Sequence, residues 1–364
     1  MNKRLDIKLE VVTPLSVGAG KDFDWVYGAD YVTNKNKVYV LDLAKVVNMG
    51  ISTEKLSELL SKADVKGICD LLDGKLEQSS RFVFELPAMS YNPIKTFLRS
   101  QLHDKPIIAG SSLKGAIRSV LFKHFRTNEK SCDEVLGAIN DNTDFMRFIQ
   151  VGDIEMQCTS LLNTKVFNLW REKENGIWHG GWKHAYKCTS QVFESSGFNT
   201  LYECVLPGAI GEGNIKFVDD AFASNLSNSQ IRKRINYAKE KLVLMNGGIE
   251  KLFSIINNAT FDYLQAERKF FKKYNEAEYS DKILDNIDYL LSLIPPQDDN
   301  SYCIMKMSAG SGFHSITGNW KYEDFTRTGF NNDKPVETPN YKSRKIVENK
   351  ERLQLMGFVK LTAI

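Results

Sequence analysis

The stretch IIAGSSLKGAIRSVLF, residues 107–122, governs how this chain is read. Leu113, Ala116, Ile117, Val120 and Leu121 recur at the spacing of a helix with one buried face. Ser111 or Ser112 is placed to cap its first turn. Gly110, just before them, lets backbone approach a ligand closely. Lys114 and Arg118 stand one turn apart on the other side. A helix N-terminus offers unpaired N–H groups and partial positive charge, which suits a phosphate. Any well-capped surface helix would carry the same pattern, so these residues alone leave both readings open.

Outward from this helix, strands and helices mix without regular βαβ alternation. LDIKLEVV (5–12) alternates as a half-buried strand. DYVTNKNKVYVLDL (30–43) reads as a hairpin turning at Asn34-Lys35-Asn36-Lys37. Residues 42–72 read as helical, with Ser52 and Thr53 as N-cap candidates. RFVFEL (81–86) is a short strand. From Phe148 to Phe217 the text is β-like, with FIQVGDI, KCTSQVF, LYECVL and NIKFV between glycine-rich turns. From Ala221 to Leu293 it is helical and charged, and Pro295-Pro296 ends that region. YCIMKM (302–307) and LMGFVKL (355–361) close the chain as strands. The order predicts an α+β protein. Antiparallel ferredoxin-type sheet cores, carrying β-hairpin and helical insertions, would accommodate it. The expected division is residues 1–220, a helical lobe at 221–296, and C-terminal strands at 297–364 that pack on the first region.

Composition narrows the function classes. The 364 residues carry a formal net charge of +3, so any nucleic-acid binding must rest on local charge. The six cysteines are scattered and form no CxxC pair, which fits reduced thiols and a cytoplasmic setting. The N-terminal MNKRLDIKLEVV is interrupted by charges, unlike a signal peptide. No apolar run reaches membrane-spanning length. Gly110 and Gly115 have P-loop spacing, but Ala116-Ile117 stand where Lys-Ser/Thr is needed. GAGKD (18–22) has a lysine, Lys21, but lacks the upstream glycine and the hydroxyl. His179, His184 and Cys188, with Cys158 as a fourth, match no familiar zinc spacing, so no metal and no cofactor is expected.

A second loop and three basic segments bear on binding. SAGSGFHSITG (308–318) follows a strand and contains Gly310, Ser311, Gly312 and His314. Free N–H groups in such a loop can cradle a phosphate, and Phe313 or His314 could stack on a base. The same text also fits a tight turn between strands. QIRKRINYAKEK (230–241) and ERKFFKKY (267–274) read as solvated helix faces, with Phe270 and Phe271 in the core. YKSRK (341–345), with Lys342, Arg344 and Lys345, follows Pro335 and Pro339 and reads as a recognition loop.

The motifs IIAGSSLKGAIR, VVTPLSVGAG, GADYV, IQVGDI ending in Asp153, YECVLPGAIGEGNIKF, AGSGFHSITG, YKSRK and MGFVKL fall in one collinear order. In that order the chain resembles the RAMP superfamily of CRISPR-associated proteins, built on RRM-like ferredoxin folds. Length and the C-terminal pattern look most like the fifth-subunit family of the Csm-type, type III-A effector complex. The resemblance implies a non-catalytic subunit that caps the 3′ end region of a guide RNA and supports guide maturation in antiviral defence. Its implied partners are the guide RNA, the backbone and small subunits of the complex, and recruited host nucleases, with no membrane. Carried over by motif, Lys21, Ser111, Ser112, Lys114, Arg118, Gly310, Ser311, Gly312, His314, Lys342, Arg344 and Lys345 would meet the RNA.

Two rival readings follow from the same residues. Asp22, Asp24 and Asp30 in the first loop could hold Mg²⁺, with His314 or His124 as general base, giving an endoribonuclease. Alternatively the glycine loops are plain turns and the chain is a protein-only scaffold.

Overall fold

The computed structural model describes residues 3–126, 131–172, 176–183, 198–274, 280–308, 326–331, 334–339 and 342–364. The opening strand Lys3–Val11 alternates as its text requires, with Ile7, Leu9 and Val11 buried and Arg4 and Asp6 exposed. It runs through the middle of a five-stranded antiparallel sheet. The order across that sheet is Tyr302–Lys306, Phe358–Ala363, Lys3–Val11, Ile210–Phe217, Ile149–Val151. Leu9 faces Gly211 on one side and Leu361 on the other, so the first and last strands of the chain are neighbours.

The helix Gly110–Phe125 packs on one face of this sheet through Leu113, Ile117, Leu121, Phe122 and Phe125. The same core takes Leu244, Leu252, Phe253 and Ile256 from the helix Ala238–Lys273. That helix bends at Gly248, whose φ of 57° and ψ of −137° lie outside helical space. A side chain rarely adopts this conformation, which is why glycine stands at the bend. Beyond the bend, Tyr263, Leu264, Phe270 and Phe271 enter a second core with Ile283, Ile287 and Leu290 of the helix Ser280–Ser292. The residues read as a helical lobe, 221–296, thus feed both cores.

A second antiparallel sheet closes the other core. Its order is Thr200–Cys204, Ser160–Arg171, Ser343–Asn349, Arg352–Leu355, with Trp178–Trp182 paired to the far end of Ser160–Arg171. A three-stranded sheet holds the predicted hairpin, with Asn34 facing Lys37, beside Ser80–Glu85. The predicted helical stretch after it resolves into Leu43–Asn48, Thr53–Ser61 and Val65–Leu71, and Ser52 caps the second by accepting the Lys55 N–H. The fold is therefore mixed α+β with antiparallel sheets.

One expectation is corrected here. The Pro-flanked basic loop is strand: Lys334–Pro339 pairs with Thr326–Asn331, and Ser343–Asn349 pairs with Ser160–Arg171. Proline lacks an N–H, but at strand ends and in a two-stranded ribbon that donor is not needed.

Candidate nucleic-acid interface

The helix Gly110–Phe125 starts against the chain segment Val151-Gly152-Asp153. A Cβ on Gly110 would lie 2.2 Å from the Val151 carbonyl oxygen. Glycine is therefore required by packing of backbone on backbone inside the protein. The Asp153 carboxylate accepts the Gly110 N–H at 2.7 Å. The protein's own carboxylate thus occupies the first N–H of this helix N-terminus. Ser111 and Ser112 do not cap: Ala109 holds the N-cap position with no side-chain bond, and the Ser112 N–H donates to the Ala109 carbonyl.

The outer side of the helix is different. Ser111 and Gly115 are exposed, and Lys114 and Arg118 are half-buried. Among the described residues, the side chains of Lys114 and Arg118 make no hydrogen bond or ion pair to the protein. A Cβ on Gly115 would meet nothing within 4 Å. Glycine in a helix interior costs up to about 1 kcal/mol against alanine, and here no internal packing repays it. The bare backbone at Gly115, flanked by two cations, leaves room for an outside partner.

The first glycine loop lies beside the root of the second. Ser16 N–H donates to Ser308 Oγ at 3.3 Å, and Ser308 Oγ donates to the Ser16 carbonyl at 3.0 Å. Lys21 opens a short 3-10 turn, Lys21–Phe23, and is exposed. Gly310, Ser311, Gly312 and His314 lie outside the described residues, as do Phe313, His184 and Cys188.

Of the three cations of YKSRK only Arg344 is buried, while Lys342 and Lys345 are half-buried against aromatic rings. Lys342 Nζ lies 4.4 Å from the Trp178 ring centroid. Arg344 is buried, pairs with Glu267 at 2.7 Å and stacks 3.9 Å over Phe270. Lys345 Nζ donates to the Tyr202 hydroxyl at 2.5 Å. The basic run joins the second sheet to the long helix, and Arg344 is engaged within the protein. Arg268 of the other basic segment is ion-paired with Asp288.

The acidic loop does not gather into one site. Asp24 is ion-paired with Lys95. Asp30 accepts the Val26 N–H at 2.7 Å and so shapes its own turn, while Asp22 is exposed. His124 packs edge-on to Phe125, and desolvation, helped by Lys251, lowers its pKa below the usual histidine value. No group of three or more His, Cys, Asp or Glu able to hold a metal occurs among the described residues. Glu203, from the YECVLPG motif, is wholly buried. It accepts the Phe97 N–H at 2.8 Å and the Thr159 hydroxyl at 2.6 Å, and it is ion-paired with Arg99. Its role is to fasten the segment after the three-stranded sheet.

Two half-buried lysines have no obvious signal in the text. Lys306 ends the edge strand and donates to the Tyr263 hydroxyl. Desolvation pushes its pKa down to about 8, against Glu267 and with the help of Arg344. Lys123, on the C-terminal turn of the signature helix, is pushed down to about 7 by desolvation and by Lys306. Both shifts reflect removal from water with like charge nearby. No helix among the described residues is long and apolar enough to cross a membrane.

Comparison with known proteins agrees with this architecture. A family model described as the RAMP superfamily matches residues 8–322. A chain in the cryo-EM structure of a Csm-crRNA-target RNA ternary complex from a type III-A CRISPR-Cas system superposes with a TM-score of 0.62 at 18% identity, covering 100% of both chains. The crystal structure of T. onnurineus Csm5 superposes with a TM-score of 0.58 at 16% identity, covering 97% of this chain and 99% of that one. No curated protein matches the sequence.

Proposed function

Because the chain belongs to the RAMP superfamily, we propose that it is the guide-RNA-binding end subunit of a type III-A CRISPR effector complex. It holds the 3′ region of the guide, supports its maturation and does not cut RNA. Its architectural partners are the backbone and small subunits. The strand order supports a ferredoxin-like unit as the core: Lys3–Val11, Gly110–Phe125, Ile149–Val151, Ile210–Phe217, Ala238–Lys273 and Phe358–Ala363 follow βαββαβ in the chain. The end-to-end likeness to a chain of a Csm complex supports the placement.

The observation that carries the RNA reading is the outer row Ser111, Lys114, Gly115, Arg118. It combines two cations that lack an internal partner among the described residues with a helix surface stripped to backbone. A sugar-phosphate chain needs close approach and positive charge, and it needs no nucleophile. Base identity matters little to such binding, as a subunit serving many guides requires.

The test is recovery of the tagged chain from its own cell. A short RNA and the other effector subunits are expected to co-purify with it. The purified chain, given labelled RNA and Mg²⁺, is expected to leave the RNA intact. Recovery without RNA, or specific cutting lost in Asp30→Ala, would replace this reading with a scaffold or a nuclease.

A further inference from the structure

The outer face of the main sheet carries a groove of about 490 Å³ lined by Arg4, Gln150, Val151, Gly152, Asn214 and Lys216. Three strands build it. In the register, Arg4 faces Lys216, and Lys216 faces Gln150 on its other side. Arg4, Lys216 and Gln150 therefore form one row across the sheet. Asn214 lies one pleat along: its carbonyl accepts the Gly152 N–H, and a Cβ on Gly152 would sit 2.9 Å from its carboxamide nitrogen. The floor is kept low by that glycine.

The charge pattern asks for an explanation. Like charges directly opposite on antiparallel strands are destabilising. Arg4 and Lys216 are such a pair. Arg4 forms an ion pair with Asp6 at 3.8 Å, with both side chains mostly in solvent. Among the described residues, the side chains of Lys216, Gln150 and Asn214 make no hydrogen bond to the protein. An anion between the two cations would convert repulsion into attraction. Two carboxamides beside it supply both donors and acceptors, which match the edge of a nucleobase. The lining has no aromatic or bulky apolar anchor of the kind that dominates protein interfaces.

We propose that this groove seats one nucleotide of single-stranded RNA, with its phosphate between Arg4 and Lys216 and its base edge against Gln150 and Asn214. The proposal rests on the RNA-binding reading above and extends it. Gly152 sits in both places, beneath the groove and beside the start of the signature helix, so one strand can pass from the helix face onto the sheet.

The test uses the full chain and a fluorescent single-stranded RNA, with affinity read by anisotropy across a salt series. Arg4→Gln with Lys216→Gln is expected to weaken binding about tenfold and to flatten the salt dependence by about 0.7 for each phosphate no longer neutralised. Gln150→Ala with Asn214→Ala is expected to weaken binding several-fold and leave the salt slope unchanged. Lys216→Gln alone serves if the double variant does not fold. Wild-type affinity in both groove variants, with Lys114→Glu and Arg118→Glu impaired, overturns the groove and spares the helix. Wild-type chain that ignores RNA overturns both. Equal competition by a polyglutamate of matched charge shows a general anion patch and also overturns the nucleotide.

Discussion

Gly110 and Gly115 sit in one helix under opposite constraints. Gly110→Ala would drive a Cβ to 2.2 Å from the Val151 oxygen. Overpacking of this kind costs about 1–3 kcal/mol, and a thermal melt should show it. Gly115→Ala meets open space. It should raise stability by up to about 1 kcal/mol while lowering RNA affinity, so that melting and binding move in opposite directions. Lys306 gives a pH signature. Its proton is held to about pH 8 in the folded chain and to about 10.4 when unfolded. Between those values the unfolded chain binds the extra proton, so stability rises with pH across that window; below it both states are protonated and this slope vanishes. In urea melts over the same range, Lys306→Met should show a smaller rise, with Lys123 and Lys241, whose pKa values burial lowers in the same way, supplying the remainder. The buried positions of the signature helix were legible from spacing. What Gly110 touches was not, because Asp153 and Val151 arrive from some forty residues away, and a glycine kept for packing reads like one kept for a ligand.

Among the elements, the hairpin at 31–41 was legible because its alternation and turn are local. The edge strand Tyr302–Lys306 shows what is not local. Its free side is covered by the long helix: Asn257 donates to the Tyr302 carbonyl at 3.0 Å and accepts the Ile304 N–H at 2.9 Å, while Thr260 donates to the Ile304 carbonyl at 2.7 Å. Asn257→Ala strands those backbone groups and should cost about 1–3 kcal/mol, with faster hydrogen exchange at Ile304 as the local readout. The start of the strand Ser343–Asn349 was read as a loop because its cations follow Pro335 and Pro339 and look solvent-facing in text. The acid that draws Arg344 inward, Glu267, is 77 residues distant. Glu267→Gln should destabilise by about 3–5 kcal/mol, since it removes one partner of a buried ion pair.

Across the whole chain, two cores share one bent helix, and the last strand lies beside the first. This arrangement sets the roots of the two glycine loops together at Ser16 and Ser308 and leaves the outer row of the signature helix open. The α+β class and the collinear motifs made the family legible from the text. The sheet-face row of Arg4, Lys216 and Gln150 was not, because strands far apart in sequence form it only after pairing. The proposed role stands or falls with the outer face of the signature helix, which should hold guide RNA. A photo-crosslinking side chain at Ser111 in the assembled complex, with its captured partner mapped, probes that face. Capture of the 3′ region of the guide at a fixed offset, whatever the guide's sequence, is the expected result. Capture of protein alone, with no nucleotide attached, would refute the role.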